Sequence, residues 1–308
     1  MKMTALAGGV GAARLLSGLA ELLSPGELTI IVNTGDDFRY LGLYICPDLD
    51  TVTYTLAGLA DPMTGWGIRA DTCHCHERLA LLQSENWFRL GDRDLATHVF
   101  RTHRLGCGDS LTDVTRVICR QNGIQAAIHP MTDSEVPTLV HTDAGTLDFQ
   151  DYYVRRRCSP RVRGFQYRGI ETSHPAPGVL AAILDADAIV ICPSNPYISI
   201  GPILAVPGVR DALRATRAAV LAVSPIVGGE ALKGPAAAMM QQLGEQPSAE
   251  TVARLYRDFL DIFVLDHRDE SLMDQVRALG LEVRAAQTVM AGTSARRALA
   301  AFLLRMLS

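Results

Sequence analysis

The first stretch of this 308-residue chain that could do chemistry is Gly8-Gly9-Val10-Gly11-Ala12-Ala13. Glycines between a strand and a helix let backbone N–H groups approach an anion, and the unpaired amides and dipole of the helix favour phosphate there. A dinucleotide fingerprint would carry another Gly or Ala where Arg14 stands, so the match to that pattern is broken. Asn33-Thr34-Gly35-Asp36-Asp37 offers adjacent carboxylates, with Asp48 and Asp50 shortly after. Three uses stay open for them: a grip on a ribose hydroxyl, coordination of a hard divalent cation that bridges phosphate oxygens, or a solvated acidic turn.

Further along, Pro193-Ser194-Asn195-Pro196-Tyr197-Ile198-Ser199-Ile200 uses two prolines to fix the backbone around small hydrogen-bonding side chains, which suits a phosphate or a base edge. Ser224-Pro225-Ile226-Val227-Gly228-Gly229 repeats that logic, and Lys233 supplies a point charge for phosphate. Trp87-Phe88-Arg89-Leu90-Gly91-Asp92-Arg93-Asp94-Leu95-Ala96-Thr97-His98 mixes aromatics with charge, as a site for a flat heterocycle would. Asp94 to His98 equally reads as the capped start of a helix. Cys73-His74-Cys75-His76 is not read as zinc ligation. Neighbours on a helix point in different directions and no second ligand pair stands at finger spacing, so a helix start after Asp71-Thr72 is expected instead. There is no Gly-x-Ser-x-Gly elbow, and residues 228–233 resemble a P-loop only loosely.

The elements that must position these residues follow from the apolar runs. Residues 4–7 lead into the glycines, and Ala12, Leu15, Leu16, Leu19 and Leu22 follow at helical spacing, giving strand, turn and helix. Residues 28–33, 188–192, 218–223 and 261–265 are apolar, as in strands buried on both faces of a parallel sheet. The expected fold class is therefore α/β, a Rossmann-like, mostly parallel sheet with helices on both faces. Ligands of such sheets lie at the carboxyl ends of the strands, so the turns at 8–11, 33–37, 193–196, 224–229 and 266–268 should converge on one crevice. Between 128 and 169, short alternating runs and an aromatic-rich stretch suggest hairpins, a small inserted β-rich subdomain within a core of 1–127 and 170–308. Residues 51–82 read mainly as helix, and 93–104 as another.

Composition narrows the function. A net charge of −4, with cations in short clusters, argues against nucleic-acid binding. The start of the chain lacks the apolar run and cleavage site of a signal peptide, and no stretch approaches the ~18 apolar residues of a membrane span. Seven cysteines, an odd number, two of them in apolar runs, suggest free thiols and a cytoplasmic, reducing compartment.

Taken in order, residues 8–14, Asn33 to Asp37, Pro47-Asp48-Leu49-Asp50-Thr51, residues 90–98, Asn195-Pro196 and Ser224 to Gly229 resemble the 2-phospho-L-lactate transferase family over nearly the whole chain. Residues 149–154 look like that family's insertion. The resemblance implies transfer of a phospholactyl, phosphoenolpyruvyl or phosphoglyceryl group from a guanosine-diphosphate-activated small acid. The acceptor would be Fo, 7,8-didemethyl-8-hydroxy-5-deazariboflavin, with release of GMP on the way to coenzyme F(420). Magnesium and a homodimer are implied too. The resemblance puts Asp50 and Arg89 at Fo, with Trp87 and Asp92 beside them, and gives Gly8, Gly9, Gly11, Ala12, Ser194, Asn195, Ser224, Gly228 and Lys233 to the nucleotide and its phosphates. Asp37 and Asp50 are the candidate magnesium ligands and catalytic carboxylates. A NAD-dependent oxidoreductase and a non-catalytic nucleotide-binding regulator are the alternatives, motivated by the opening strand–helix–strand unit and by Asp36 or Asp37.

Overall fold

The computed structural model describes residues 1–82 and 86–307. In chain order its strands are β1 (Met3–Ala7), β2 (Leu28–Val32), β3 (Phe38–Tyr40), β4 (Leu43–Ile45), β5 (Ala127–Pro130), β6 (Thr138–Thr142) and β7 (Gly145–Asp148). They continue with β8 (Val162–Tyr167), β9 (Ala188–Ile191), β10 (Ala219–Val223), β11 (Ile226–Val227), β12 (Glu230–Ala231), β13 (Ile262–Asp266) and β14 (Glu282–Ala286). Seven of them form one sheet in the order β14-β13-β10-β9-β1-β2-β5. Each neighbouring pair in it is parallel.

Alternation along these strands divides the core between the two faces. Leu6, Ile31, Ile189, Ile191, Ala222 and Phe263 pack on one side, whereas Ala5, Ala7, Ile30, Val32, Val190 and Leu221 pack on the other. Both sides are covered, so polar residues have no solvated face to occupy, which is why the central strands read as unbroken apolar runs. Each fully buried Ile, Leu or Val contributes roughly 1.5–3 kcal/mol.

Helices α1 (Gly9–Ala20) and α2 (Pro47–Leu56) pack together on one face with the C-terminal helix Thr293–Leu307. Gly18 permits this: a Cβ there would lie 2.5 Å from the Arg296 carbonyl oxygen of the C-terminal helix. The later helices α3 (His74–Leu82) and α4 (Asp92–Gly106) cap one another. Asp92 accepts from the His74 and Cys75 amides, and Asp71 accepts from those of Arg93 and Asp94. Between α2 and α3, residues 57–73 are not helical as expected: the chain turns at Gly58, φ 69°, and makes an isolated bridge between Ala60 and Ile68. Gly58, Pro62, Gly65 and Gly67 leave that stretch no continuous helical face.

A second, antiparallel sheet, β7-β6-β8, occupies residues 138–167. Ile128, expected in this insertion, belongs instead to β5 at the edge of the main sheet. The insertion seats Val140, Phe149 and Tyr152 against Ile198 and Met239 of the main body. All seven cysteines are free, and no helix among the described residues is long and apolar enough to cross a membrane.

Candidate active site

The sheet order reverses between β1 and β9, since the chain runs outward from β1 through β2 to β5 and then from β9 the other way. A crevice must open at the carboxyl ends of those two strands. The glycine loop follows β1 and Pro193-Ser194-Asn195 follows β9, so both lie at that point. Ser194 donates its hydroxyl to the Gly8 carbonyl at 2.8 Å, and a Cβ on Gly11 would collide with the Pro193 carbonyl oxygen. Gly8 forms the N-cap of α1 in extended backbone with no side-chain cap, and of the first-turn amides that of Gly9 is taken by Asp48.

The crevice is a cavity of about 750 Å³. Gly8, Gly9, Gly11, Asp50, Trp87, Arg89, Ser194, Asn195, Ser224 and Lys233 all lie on its wall, from turns spread between residues 8 and 233. The insertion closes one side with Phe149, Gln150 and Tyr153. Four other expected residues stand off the wall. Ala12 is buried in the first turn of α1, Asp37 is buried, and Asp92 is engaged as the cap of α3. The Gly228 amide donates to the Asp269 carboxylate at 2.9 Å and is not free for phosphate.

Carboxylates crowd one end. Asp36, Asp37, Asp48 and Asp50 are all buried. Burial pushes the Asp36 carboxyl well above the usual range, the Asp48 charge adds to this, and Asn33 opposes it. Burial likewise raises Asp37, against the opposing Cys46 thiol and Arg101. Asp48 is pushed up to about 6 by burial, although it accepts from Asn33 Nδ2 at 2.9 Å and from the Gly9 amide. Asp36 Oδ1 and both Asp37 oxygens have no hydrogen-bond partner.

Arg101 is the buried cation facing this group, at 2% exposure, and sequence reasoning missed it. Its Nη1 donates to Asp50 Oδ2 at 3.1 Å, and its Nη2 makes a short bond to Asp50 Oδ1. Burial works against its charge, yet Asp50 and other acidic neighbours raise its pKa above the ordinary arginine value. Nη1 also approaches His98 Nδ1 at 3.3 Å, while His98 Nε2 lies 3.3 Å from Asp94 Oδ1, which accepts from the Tyr54 hydroxyl at 2.8 Å. Burial opposes the charge on Asp94, but bonding to His98 and Tyr54 outweighs it and holds that carboxyl below its usual range. The signal was present: Asp94, His98 and Arg101 stand at i, i+4 and i+7, one face of α4. Asp50, Asp94 and His98 bring ligand atoms within 4.8 Å of one another, a set able to hold a cation, although Arg101 already engages Asp50.

Trp87 and Phe88 give the same cavity an aromatic wall. Trp87 packs against Phe38, Tyr40 and Phe88, with ring centroids 5.4–6.1 Å apart, and Arg89 donates Nε to Cys73 Sγ at 3.2 Å. A flat ring could lie along these side chains with the Asp50–Arg101 pair at its edge.

The doubly wound sheet, with a glycine loop at its switch point and a charged cavity beside it, is the arrangement of an α/β enzyme that takes its ligand at the carboxyl ends of the strands. The chain belongs to the 2-phospho-L-lactate transferase CofD family, whose model matches residues 3–299. It is 42% identical over 300 residues to the 2-phospho-L-lactate transferase of Methanosarcina acetivorans, covering 97% of each chain. It is equally 42% identical to the phosphoenolpyruvate transferase of Streptomyces griseus, covering 97% of this chain and 96% of that one. In fold it resembles a UPF0052-family protein of Bacillus halodurans, with a TM-score of 0.64, 16% identity and 93% of each chain covered. The protein is accordingly a transferase of the F(420) biosynthetic class, and the dehydrogenase and regulator alternatives fall away.

Proposed function

We infer that the protein transfers a phosphate-linked small acid from a guanosine-diphosphate-activated donor to the terminal ribityl hydroxyl of Fo, releasing GMP. The observation that carries this reading is the meeting, in one cavity, of three phosphate-suited turns with the Trp87–Arg89 wall and Asp50. In the proposed reaction the hydroxyl oxygen bonds to the phosphorus bearing the acid, the bridging P–O bond breaks, and its electron pair leaves with GMP. Amides at the start of α1 and the turns at Ser194 and Ser224 hold the phosphates, while Trp87 and Arg89 orient the ring. Positioning of the two reactants and charge compensation supply most of the acceleration. Asp50, fixed by Arg101 at the edge of the ring site, is the candidate to accept the hydroxyl proton.

Magnesium at the carboxylate end, with Asp37 and Asp50 as ligands, is part of the same proposal, and the unpartnered oxygens of Asp36 and Asp37 support it. Asp37 stands off the cavity wall, however, and among the described residues the set that brings three ligand atoms together is Asp50, Asp94 and His98. When bound, the ion would offset charge on the diphosphate. Relatives named for phospholactate and for phosphoenolpyruvate are equally similar to this chain, so the donor's acid is the variable to scan. Purified protein, Fo and magnesium incubated with each guanylylated donor should yield the phosphodiester and GMP by mass spectrometry. No product from any donor would reject the reading. The proposed assembly is a homodimer, which sedimentation measures directly.

A further inference from the structure

The inserted sheet does more than wall the cavity. In the main sheet β1 lies between β9 and β2, so the loops after β9 and β2 flank the glycine loop, and the insertion is bonded to both. After β2, the Thr138 amide donates to the Gly35 carbonyl at 2.7 Å and Gln150 Nε2 donates to the Asp36 carbonyl at 3.4 Å. After β9, the Tyr167 hydroxyl at the end of β8 makes a short hydrogen bond to the Tyr197 carbonyl, in the helical turn Pro196–Ile200. Phe165, two residues earlier on β8, stacks on the Tyr197 ring with centroids 5.6 Å apart. Gly201 leaves the room this contact needs, since a Cβ there would collide with the Tyr167 hydroxyl.

From that turn the bonding runs on to the carboxylates. The Ile198 carbonyl accepts from Asn33 Nδ2 at 3.2 Å, the same nitrogen donates to Asp48 Oδ2 at 2.9 Å, and Asp48 accepts from the Gly9 amide. Asn33 is fully buried, so a displaced Ile198 carbonyl either leaves an N–H group unpaired or draws Asn33 away from Asp48. The turn also touches the glycine loop directly: Ser199 Cβ lies 2.7 Å from the place a Gly8 Cβ would take. Ile198, Ser199, Asp48 and Gly9 are all on the cavity wall, whereas Tyr167 is not.

We propose that Tyr167 is a positioning residue for the transfer: its hydroxyl fixes the Pro196–Ile200 turn, and through Ile198, Asn33 and Asp48 that turn sets the glycine loop against the acidic loop. The effect on turnover rests on the reaction proposed above; the effect on the turn does not. A single neutral hydrogen bond contributes little to the stability of a chain this long, but reactants displaced by about 1 Å can react about a hundredfold more slowly. Loss of rate out of proportion to loss of stability is therefore the signature of positioning.

The test compares wild type, Tyr167→Phe and Thr142→Ala, the last removing a hydroxyl that bonds to the Gly145 carbonyl in the exposed hairpin of the insertion. In the unliganded protein, Tyr167→Phe should speed hydrogen exchange at least about fivefold in peptides covering residues 194–201, with the Ala249–Tyr256 helix unchanged. Its unfolding temperature should fall by about 2 °C or less. With Fo and a guanylylated donor, its kcat should drop at least about tenfold while KM for Fo stays within about twofold. Thr142→Ala should match wild type throughout. Wild-type exchange at 194–201 or an unchanged kcat in Tyr167→Phe would overturn the proposal. Exchange raised evenly over the whole chain would do the same, making Tyr167 merely structural, as would an equal loss in Thr142→Ala. The two readings fail separately: if no guanylylated donor is turned over by wild type, the reaction falls, and exchange at 194–201 still decides whether Tyr167 sets the turn.

Discussion

Replacing Arg101 by Met removes the buried cation that faces the carboxylate end while keeping an unbranched apolar stem of similar reach. Arg101 is 2% exposed and both of its terminal nitrogens bond to Asp50, which is itself buried. Removing one partner of such a pair leaves an uncompensated buried charge, and the loss is about 3–5 kcal/mol. With an unfolding entropy of roughly 2.1 cal/mol/K per residue, a chain of this length should lose about 5–8 °C in Tm. Removing both partners, in Arg101→Met with Asp50→Asn, takes away the charge as well as its counter-charge and should recover part of that loss. Thermal and urea unfolding of the single and double variants measure both quantities. If Arg101→Met unfolds within about 0.5 kcal/mol of wild type, the scale on which distant surface changes act, the account of this pair as the electrostatic anchor of the site is wrong.

Asp50→Asn should cut turnover by about 100-fold or more, the usual size of a lost general-base or metal-ligand contribution, and near-normal activity would remove Asp50 from the mechanism. Arg89→Ala should weaken Fo binding and leave donor binding largely intact, which fluorescence titration of each ligand separates. Gly11→Ala should abolish nucleotide binding or folding, because its Cβ meets the Pro193 carbonyl oxygen; a fully active variant would mean the two loops can part without cost. Asp266 supplies a pH test: burial alone would raise its pKa, but bonds from the Thr288 amide and hydroxyl and the Arg268 amide hold it below the usual carboxylate value. The folded value lies under the unfolded value of about 3.9, so the stabilisation is full above that pH and is lost as pH falls through the folded pKa. Wild type should therefore exceed Asp266→Asn by roughly 1–2 kcal/mol at neutral pH, and the gap should close in acid. A gap that widened in acid would reverse the assigned sign.

How much of this was legible in the sequence depended on whether the cause was local. β2, β9, β10 and β13 are walled on both faces, so their burial appears as contiguous apolar residues. β5 and β14 lie at the sheet edges, where Ala127, Glu282 and Arg284 face solvent, and their mixed composition gave no such pattern. The strand-end turns that line the cavity were readable for a related reason, since close-packed turns are built from adjacent Gly, Pro and Ser. Asp92 misled because its position in a ring-binding motif says nothing of Thr72, His74 and Cys75, whose donors occupy it from about twenty positions earlier.

The same distinction governs the charges. Asp36, Asp37, Asp48 and Asp50 lie close in sequence, so an acidic centre could be anticipated, but its buried counter-ion comes from α4, 51 residues beyond Asp50. Lys233 reaches the same cavity wall only through tertiary contact, its Nζ donating at 2.9 Å to the carbonyl of Thr64, 169 positions earlier, so no neighbour in sequence marks where its charge is placed.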